Sequence, residues 1–307
     1  MENGVRDKDY ICKNPGIRFT KDPGISIDVD SQNRRWKRLC PRPVLCPGDG
    51  FRLYFMAEGV FCPPGNRGVI VSASSNDGES WCWDEGVRIG ADHPRARGRT
   101  LAPDVVRLPD GSWRMYFEAR CNGHNDVIMS ARSIDMLAWE IEEGLRVEGK
   151  NPNEHVGTPS VVQLRDGGWR LYHHLRDSTR YVIVSSLSSD GISFQRELGI
   201  RITQTSDFEG HAAYAPHVLA CSEGWRMYYS GWSEQPRVQG VIMTATSIDG
   251  LVWQKHKLPV LWPDRAKDYS HCSEPSCLRL PDGRWRLFYE AIASDGACRI
   301  LSATSDD

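Results

Sequence analysis

Short apolar runs, each broken by a polar turn, fill the chain from end to end, and no segment sustains a period of 3.6 residues. That pattern predicts β-strands throughout. One run recurs: Phe51-Arg-Leu-Tyr-Phe55, Trp113-Arg-Met-Tyr-Phe117, Trp169-Arg-Leu-Tyr-His173, Trp225-Arg-Met-Tyr-Tyr229 and Trp285-Arg-Leu-Phe-Tyr289, at steps of 62, 56, 56 and 60 residues. A second phrase follows each, from Val69-Ile-Val-Ser72 to Arg299-Ile-Leu-Ser302. An Asp turn with an aromatic trails it: Asp77 with Trp81, Asp135 with Trp139, Asp190 with Phe194, Asp249 with Trp253. Ahead of each first phrase stands a short apolar run holding a proline, taken as Pro43, Pro103, Pro159, Pro216 and Pro275.

Each unit is therefore expected to be four short strands, and evenly spaced units of this kind predict an all-β, five-bladed β-propeller. The fifth copy stops where its last strand should begin. The missing piece is at the other end: Gly16-Ile-Arg-Phe19 resembles Gly191-Ile-Ser-Phe194. The expected organisation is one domain: 16–30 as outer strand of blade 5, 31–90 as blade 1, 91–148 as blade 2, 149–205 as blade 3, 206–263 as blade 4 and 264–307 as blade 5.

Composition refines this. Eleven tryptophans suggest a sugar-binding surface, but Trp113, Trp139, Trp169, Trp225 and Trp285 hold repeated slots and are expected to pack the blades. A net charge of −2 argues against nucleic acid as the partner. No apolar stretch is long enough for a transmembrane helix, so no membrane association is expected. Met1–Asp9 holds no apolar run, so a secretory signal is not expected and a cytoplasmic location is. The ten cysteines contain no CxxC pair and are expected to be reduced and mostly buried.

Functional residues should lie where the repeats differ. Just before the inner-strand prolines stand Arg42, Ala102, Thr158, Ala215 and Glu274, and just after them Val44, Asp104, Ser160, His217 and Ser276. Four residues upstream come Leu39, Arg99, His155, Ala212 and His271, with Glu154 and His211 adjacent. Six of the nine histidines fall in these strands or the next. Convergent His, Glu, Asp and Arg supply acids, bases and anion-binding groups. Each also has a structural reading: Asp104 capping its strand, Glu274 paired with Arg42 or Arg99, His155 and His271 closing blades. A central metal ion or water near His271 and His155, with His211 as a third ligand, stays open.

Two segments carry a resemblance. Leu101-Ala-Pro-Asp-Val105 is similar to the second-blade Trp-Ala-Pro-Asp-Val motif of the five-bladed propeller glycosidases, chiefly glycoside hydrolase family 43. Tyr214-Ala-Pro-His-Val218 is similar to their fourth-blade Glu-Gly-Pro-His motif, and Ser270-His-Cys-Ser273 more weakly to a fifth-blade Gly-His-Asn-Ser segment. The invertase-like and mannoside-phosphorylase groups are more distant. The resemblance implies three catalytic carboxylates. The base position falls on Arg42, the tuning Asp on Thr158 and the acid Glu on Tyr214. All three have changed, and an arginine cannot accept a proton.

The expected function is therefore a small-molecule enzyme with a remodelled pocket, doing acid–base chemistry such as isomerisation, elimination or cyclisation on a polar, anionic metabolite or a sugar. Glu274, His217, Asp104, His155, His271 and Tyr214 are the candidate catalytic groups. Arg42, Arg99, Glu154, Thr158, His211 and Trp232 are the candidate substrate contacts. Two alternatives stand beside it: a glycoside hydrolase or phosphorylase with relocated carboxylates, and a non-catalytic glycan-binding propeller.

Overall fold

Within each repeat a strand pairs antiparallel with the next, and the repeats fold as four-stranded groups. The computed structural model describes residues 16–29, 37–48, 50–59, 62, 64–121, 123–221, 223–233, 238–264, 268–280 and 282–305. β1 (Thr20–Lys21) comes first and is used last. The first group is β2 (Arg38–Leu45), β3 (Phe51–Ala57), β4 (Val69–Ser75) and β5 (Cys82–Trp83). The second is β6 (Arg99–Arg107), β7 (Trp113–Arg120), β8 (Val127–Ser133) and β9 (Glu140–Ile141). The third is β10 (His155–Gln163), β11 (Trp169–Arg176), β12 (Tyr181–Ser188) and β13 (Gln195–Arg196). β14 (Ala212–Cys221), β15 (Gly224–Trp232), β16 (Gly240–Ser247) and β17 (Gln254–Lys255) follow, then β18 (His271–Arg279), β19 (Trp285–Ile292) and β20 (Cys298–Ser305). These last seven strands and β1 form one eight-stranded sheet, joined by a single parallel pair, Gly240 with His271, between β16 and β18. The expected unit start at residue 31 and chain end at 307, and Cys12, lie outside the described residues.

The aromatic phrase sits on the second strand of each group and is buried on both faces, as in Phe51–Ala57, where only Arg52 is less than buried. Neighbouring groups cover it. A tyrosine hydroxyl crosses to the Asp turn of the next group: Tyr54 to Met136 O, Tyr116 to Gly191 O and Tyr172 to Gly250 O, at 2.7 to 2.9 Å. The turn's aromatic returns edge-on against the same tyrosine, Trp139 on Tyr54 and Phe194 on Tyr116. The repeated Arg is a latch inside its own group. Arg114 and Ser130 share the Glu142 carboxylate, as Arg170 and Ser185 share Glu197.

The N-terminal segment reproduces every part of this for β20. Thr20 and Lys21 pair with Thr304 and Ala303. Asp22 accepts from Ser302 and Thr304 and lies 3.4 Å from Arg286 Nε, which is the latch. Gly16 O receives the Tyr228 hydroxyl at 2.7 Å, and Phe19 stands edge-on to Tyr228. Trp113, Trp169 and Trp285 are buried and Trp139 partly so, as expected of packing residues.

The inner strands β2, β6, β10, β14 and β18 lie side by side in that order, with β18 packed on β2. Each carries a bulge, two residues opposing one. The first bulge residue has a left-handed backbone, with φ of 56° at Cys40, 48° at Ala102, 47° at Thr158, 49° at Ala215 and 53° at Glu274. None is glycine, and Thr158 is β-branched, so the bulge is strained and held by its surroundings.

The bulge corrects the expected alignment of the first unit. Leu39 pairs with Met56 and Arg42 with Tyr54, as Leu101 pairs with Glu118 and Asp104 with Tyr116. The matching proline is thus Pro41, not Pro43. Cys40 holds the pre-proline slot, and Arg42 belongs with Asp104, Ser160, His217 and Ser276. Two prolines two residues apart made the wrong choice available. Among the described residues the cysteines are free thiols, and no helix is long and apolar enough to cross a membrane.

Candidate functional site at the channel mouth

The five bulge residues and the prolines after them line a small depression, open to solvent, of about 20 Å³. Below them the post-proline residues tie neighbouring inner strands together. Asp104 Oδ2 accepts from Val161 N, Ser160 Oγ from Val218 N at 3.0 Å, and His217 Nδ1 from Cys277 N at 2.7 Å. Arg42 cannot accept. It donates Nε to Pro103 O at 3.3 Å and lies 3.2 Å from Asp104 Oδ1. Burial pushes the Asp104 carboxyl up despite Arg42, and burial and Arg42 push His217 well below its ordinary value. His217 is therefore a neutral acceptor in a structural belt.

Other expected residues sit apart from the cavity. His155 Nδ1 is 3.1 Å from Asp126 Oδ2, a carboxylate shared with Arg176 and Arg120. Glu154 is buried against Arg196 at 2.6 Å and Arg180 at 3.5 Å. His271 packs over Gly240, where a Cβ would stand 2.4 Å from the ring, and burial lowers its pKa to about 4. His211 is exposed beside the exposed Trp232, with ring centres 6.0 Å apart. His155, His211 and His271 do not converge as a metal-binding group among the described residues. Burial disfavours the imidazolium at both His217 and His271.

What does converge is a set of carboxyls and tyrosines. Glu274, in the β18 bulge, is partly exposed, and its Oε2 is buried without a hydrogen-bond partner. Donor atoms of Cys40, Glu274 and Glu290 lie within 4.8 Å of one another. Two carboxylates that close cannot both ionise readily. Burial, then the Glu274 charge, pushes Glu290 well up, and burial also raises Glu274. Burial and these two glutamates also raise the Cys40 thiol.

Glu118 of β7 is the third carboxyl. It is fully buried, accepts from Arg120 Nε at 2.6 Å and from Thr158 N at 3.0 Å, and its pKa is lowered. Burial opposes that shift; Arg120, His174 and Arg99 outweigh it. Gly157 makes room, since a Cβ there would fall 2.0 Å from Glu118 Oε2. Thr158 Oγ1 bonds His174 Nδ1 at 2.9 Å. Tyr214 lies against Tyr181, ring centres 5.3 Å apart, and burial with Glu274 and Glu290 raises its hydroxyl well above its ordinary value. Arg99 Nε is buried without a partner.

Of the expected residues, Glu274, Tyr214, Thr158 and Arg99 thus meet here. Glu118, Glu290, Cys40, Tyr181 and Arg120 went unread. One signal was present: the residue directly after the repeated aromatic phrase varies, being Met56, Glu118, His174, Ser230 and Glu290.

No known family profile and no curated protein matches the sequence. Solved structures do. A complex of BT0996 with RGII superposes with a TM-score of 0.80 at 15% identity, over 94% of this protein and 92% of that one. A thermostable family-43 glycoside hydrolase gives 0.72 at 15%, over 92% and 90%. A structure from the GH130 family of mannoside phosphorylases, which contains glycoside hydrolases that target β-1,2 mannosidic linkages in Candida mannan, gives 0.72 at 14%, over 98% and 96%. The chain therefore has the β-propeller fold of glycoside hydrolases of the family-43 kind and of the mannoside-phosphorylase group.

Proposed function

We propose that this chain cleaves glycosidic bonds, by hydrolysis or phosphorolysis, at the mouth of a five-bladed propeller. Blades 4 and 5 are read as the two halves of the eight-stranded sheet, and the N-terminal strand as the clasp of a single domain with the blade boundaries given above. The observation that carries the functional reading is a relocation. The positions where the resembling family has carboxylates hold Cys40, Thr158 and Tyr214, yet Glu274 lines the same mouth, with Glu290 beside it and Glu118 bonded to Thr158 N behind the wall. A buried carboxylate oxygen without a partner, as Glu274 Oε2 is, is costly, and such groups cluster where chemistry is done.

Glu274 is the partly exposed member, so it is the carboxyl that meets the substrate. Glu118, held by Arg120 and a backbone N–H, is a fixed anion that orients the wall. Tyr214 and Tyr181 offer ring faces and hydroxyls to a sugar. Arg99 supplies a cation for an acidic sugar, or for phosphate in a phosphorolytic reaction. The test is release of the leaving group from a panel of aryl glycosides and β-linked oligosaccharides, each with and without phosphate. Turnover on at least one donor supports the reading, and a phosphate requirement selects phosphorolysis. A complete panel without release would overturn it.

A further inference from the structure

Three acceptor-type side chains meet at the side of the mouth where β2 packs on β18. Cys40 stands in the β2 bulge, Glu274 in the β18 bulge and Glu290 in β19, with donor atoms within 4.8 Å of one another. Acidic clusters are common, and the group alone would mean little. A separate observation gives it weight. Ser273 is wholly buried, its Oγ has no partner, and it pairs directly with Glu290 across β18 and β19. Directly paired residues project from the same face of a sheet, so this hydroxyl shares the Glu290 wall. Glu274 Oε2 is likewise buried and unpartnered. Two orphaned polar atoms beside three converging acceptors indicate a missing partner.

The chemistry of the donors narrows what that partner is. Carboxylates and a hydroxyl would suit calcium or magnesium, but a thiol among them favours a borderline transition ion. We propose that Cys40 Sγ, Glu274 Oε2 and a Glu290 oxygen hold a divalent ion of the zinc or cobalt kind, with a further position open to the cavity. Bonds of roughly 2.0–2.3 Å in a tetrahedral site need only a small contraction of the group. As the metal binds, the Cys40 S–H bond breaks and the carboxyl proton held by the Glu274–Glu290 pair is released as well, both protons leaving to solvent; nothing is oxidised or reduced. The three anionic ligands exceed the ion's charge by one. Arg99 and Lys37 face the group and offset the excess, while Glu118 on the other side is neutralised by Arg120. A carboxylate bound through one oxygen keeps the other for a substrate, so the inference is compatible with the glycoside-cleaving reading and does not rest on it.

The experiment uses the full chain, stripped with a chelator and titrated with Co²⁺ and then Zn²⁺. Expected is one equivalent of cobalt with a thiolate-to-cobalt charge-transfer band in the near ultraviolet, bleached by zinc. Cys40→Ser should abolish the band and weaken zinc binding by more than about tenfold, and Glu290→Gln should weaken binding while keeping the band. Circular dichroism on each variant separates lost binding from lost fold. If Cys40→Ser does not fold, the wild-type spectrum and Glu290→Gln decide. Cobalt bound without a thiolate band, no bound equivalent, or zinc affinity unchanged in folded Cys40→Ser would each overturn the site. Since the readout is spectroscopic, its failure is distinct from failure to cleave a glycoside.

Discussion

The Tyr228 hydroxyl donates a 2.7 Å hydrogen bond to the carbonyl of Gly16, 212 residues earlier in the chain. It does for the last group what Tyr54, Tyr116 and Tyr172 do between the others. Tyr228→Phe keeps the ring against Phe19 and removes only the hydrogen bond, leaving a buried carbonyl unpaired. A loss of about 1–2 kcal/mol in unfolding free energy is expected, and urea denaturation measures it. An unchanged midpoint would mean that the N-terminal segment is not a working part of the fold.

Asp22 should matter more. Arg286, Ser302 and Thr304 all converge on it, and Asp22→Ala leaves the buried Arg286 guanidinium with only the exposed Glu79 carboxylate as counter-charge. The expected loss is about 2–4 kcal/mol, discounted for the partial exposure of Asp22. Asp22→Asn, which keeps acceptor geometry at one oxygen, should lose less. Equal losses would argue that charge is irrelevant to the latch.

His173 gives a pH signature. It is wholly buried, and burial lowers its pKa to about 4. The unfolded state takes up this proton near pH 6.5 and the folded state does not, so the contribution is full above 6.5 and is lost as pH falls toward 4. The other groups carry Phe55, Phe117, Tyr229 and Tyr289 in this slot. His173→Phe is therefore expected to flatten the fall in melting temperature between pH 6.5 and 4. A profile identical to wild type would show that His173 does not set it.

Gly157 tests the site from a distance. Gly157→Ala drives a Cβ into the Glu118 carboxylate and the His174 ring. Displacement of Glu118 should lower catalytic turnover at least tenfold and destabilise the third group. Retained turnover would separate Glu118 from the working pocket.

The fold was readable because each strand group must bury its aromatic phrase against a neighbour, and that requirement repeats the same residues at the same spacing. Even the clasp was legible, since Gly16 and Phe19 copy Gly191 and Phe194 to meet the same partners. The site was less so. Repetition reveals packing and hides function, and Glu118 and Glu290 differ from their counterparts only in the residue after the phrase. Cys40 was missed because Pro41 and Pro43 offered two registers, and only strand pairing distinguishes them. Asp104 and His217 looked catalytic by residue type. Their partners are backbone N–H groups of the neighbouring inner strand, a role that spacing in one dimension cannot show.

Glu274 is the carboxyl proposed to act at the scissile bond, and the decisive comparison is turnover of the best glycoside from the panel by wild type and by Glu274→Gln. Matched circular dichroism and melting temperature secure the comparison. A fall in kcat of about 100-fold or more, with the fold intact, is the expected result. Folded Glu274→Gln turning over the same glycoside at the wild-type rate would remove Glu274 from the chemistry.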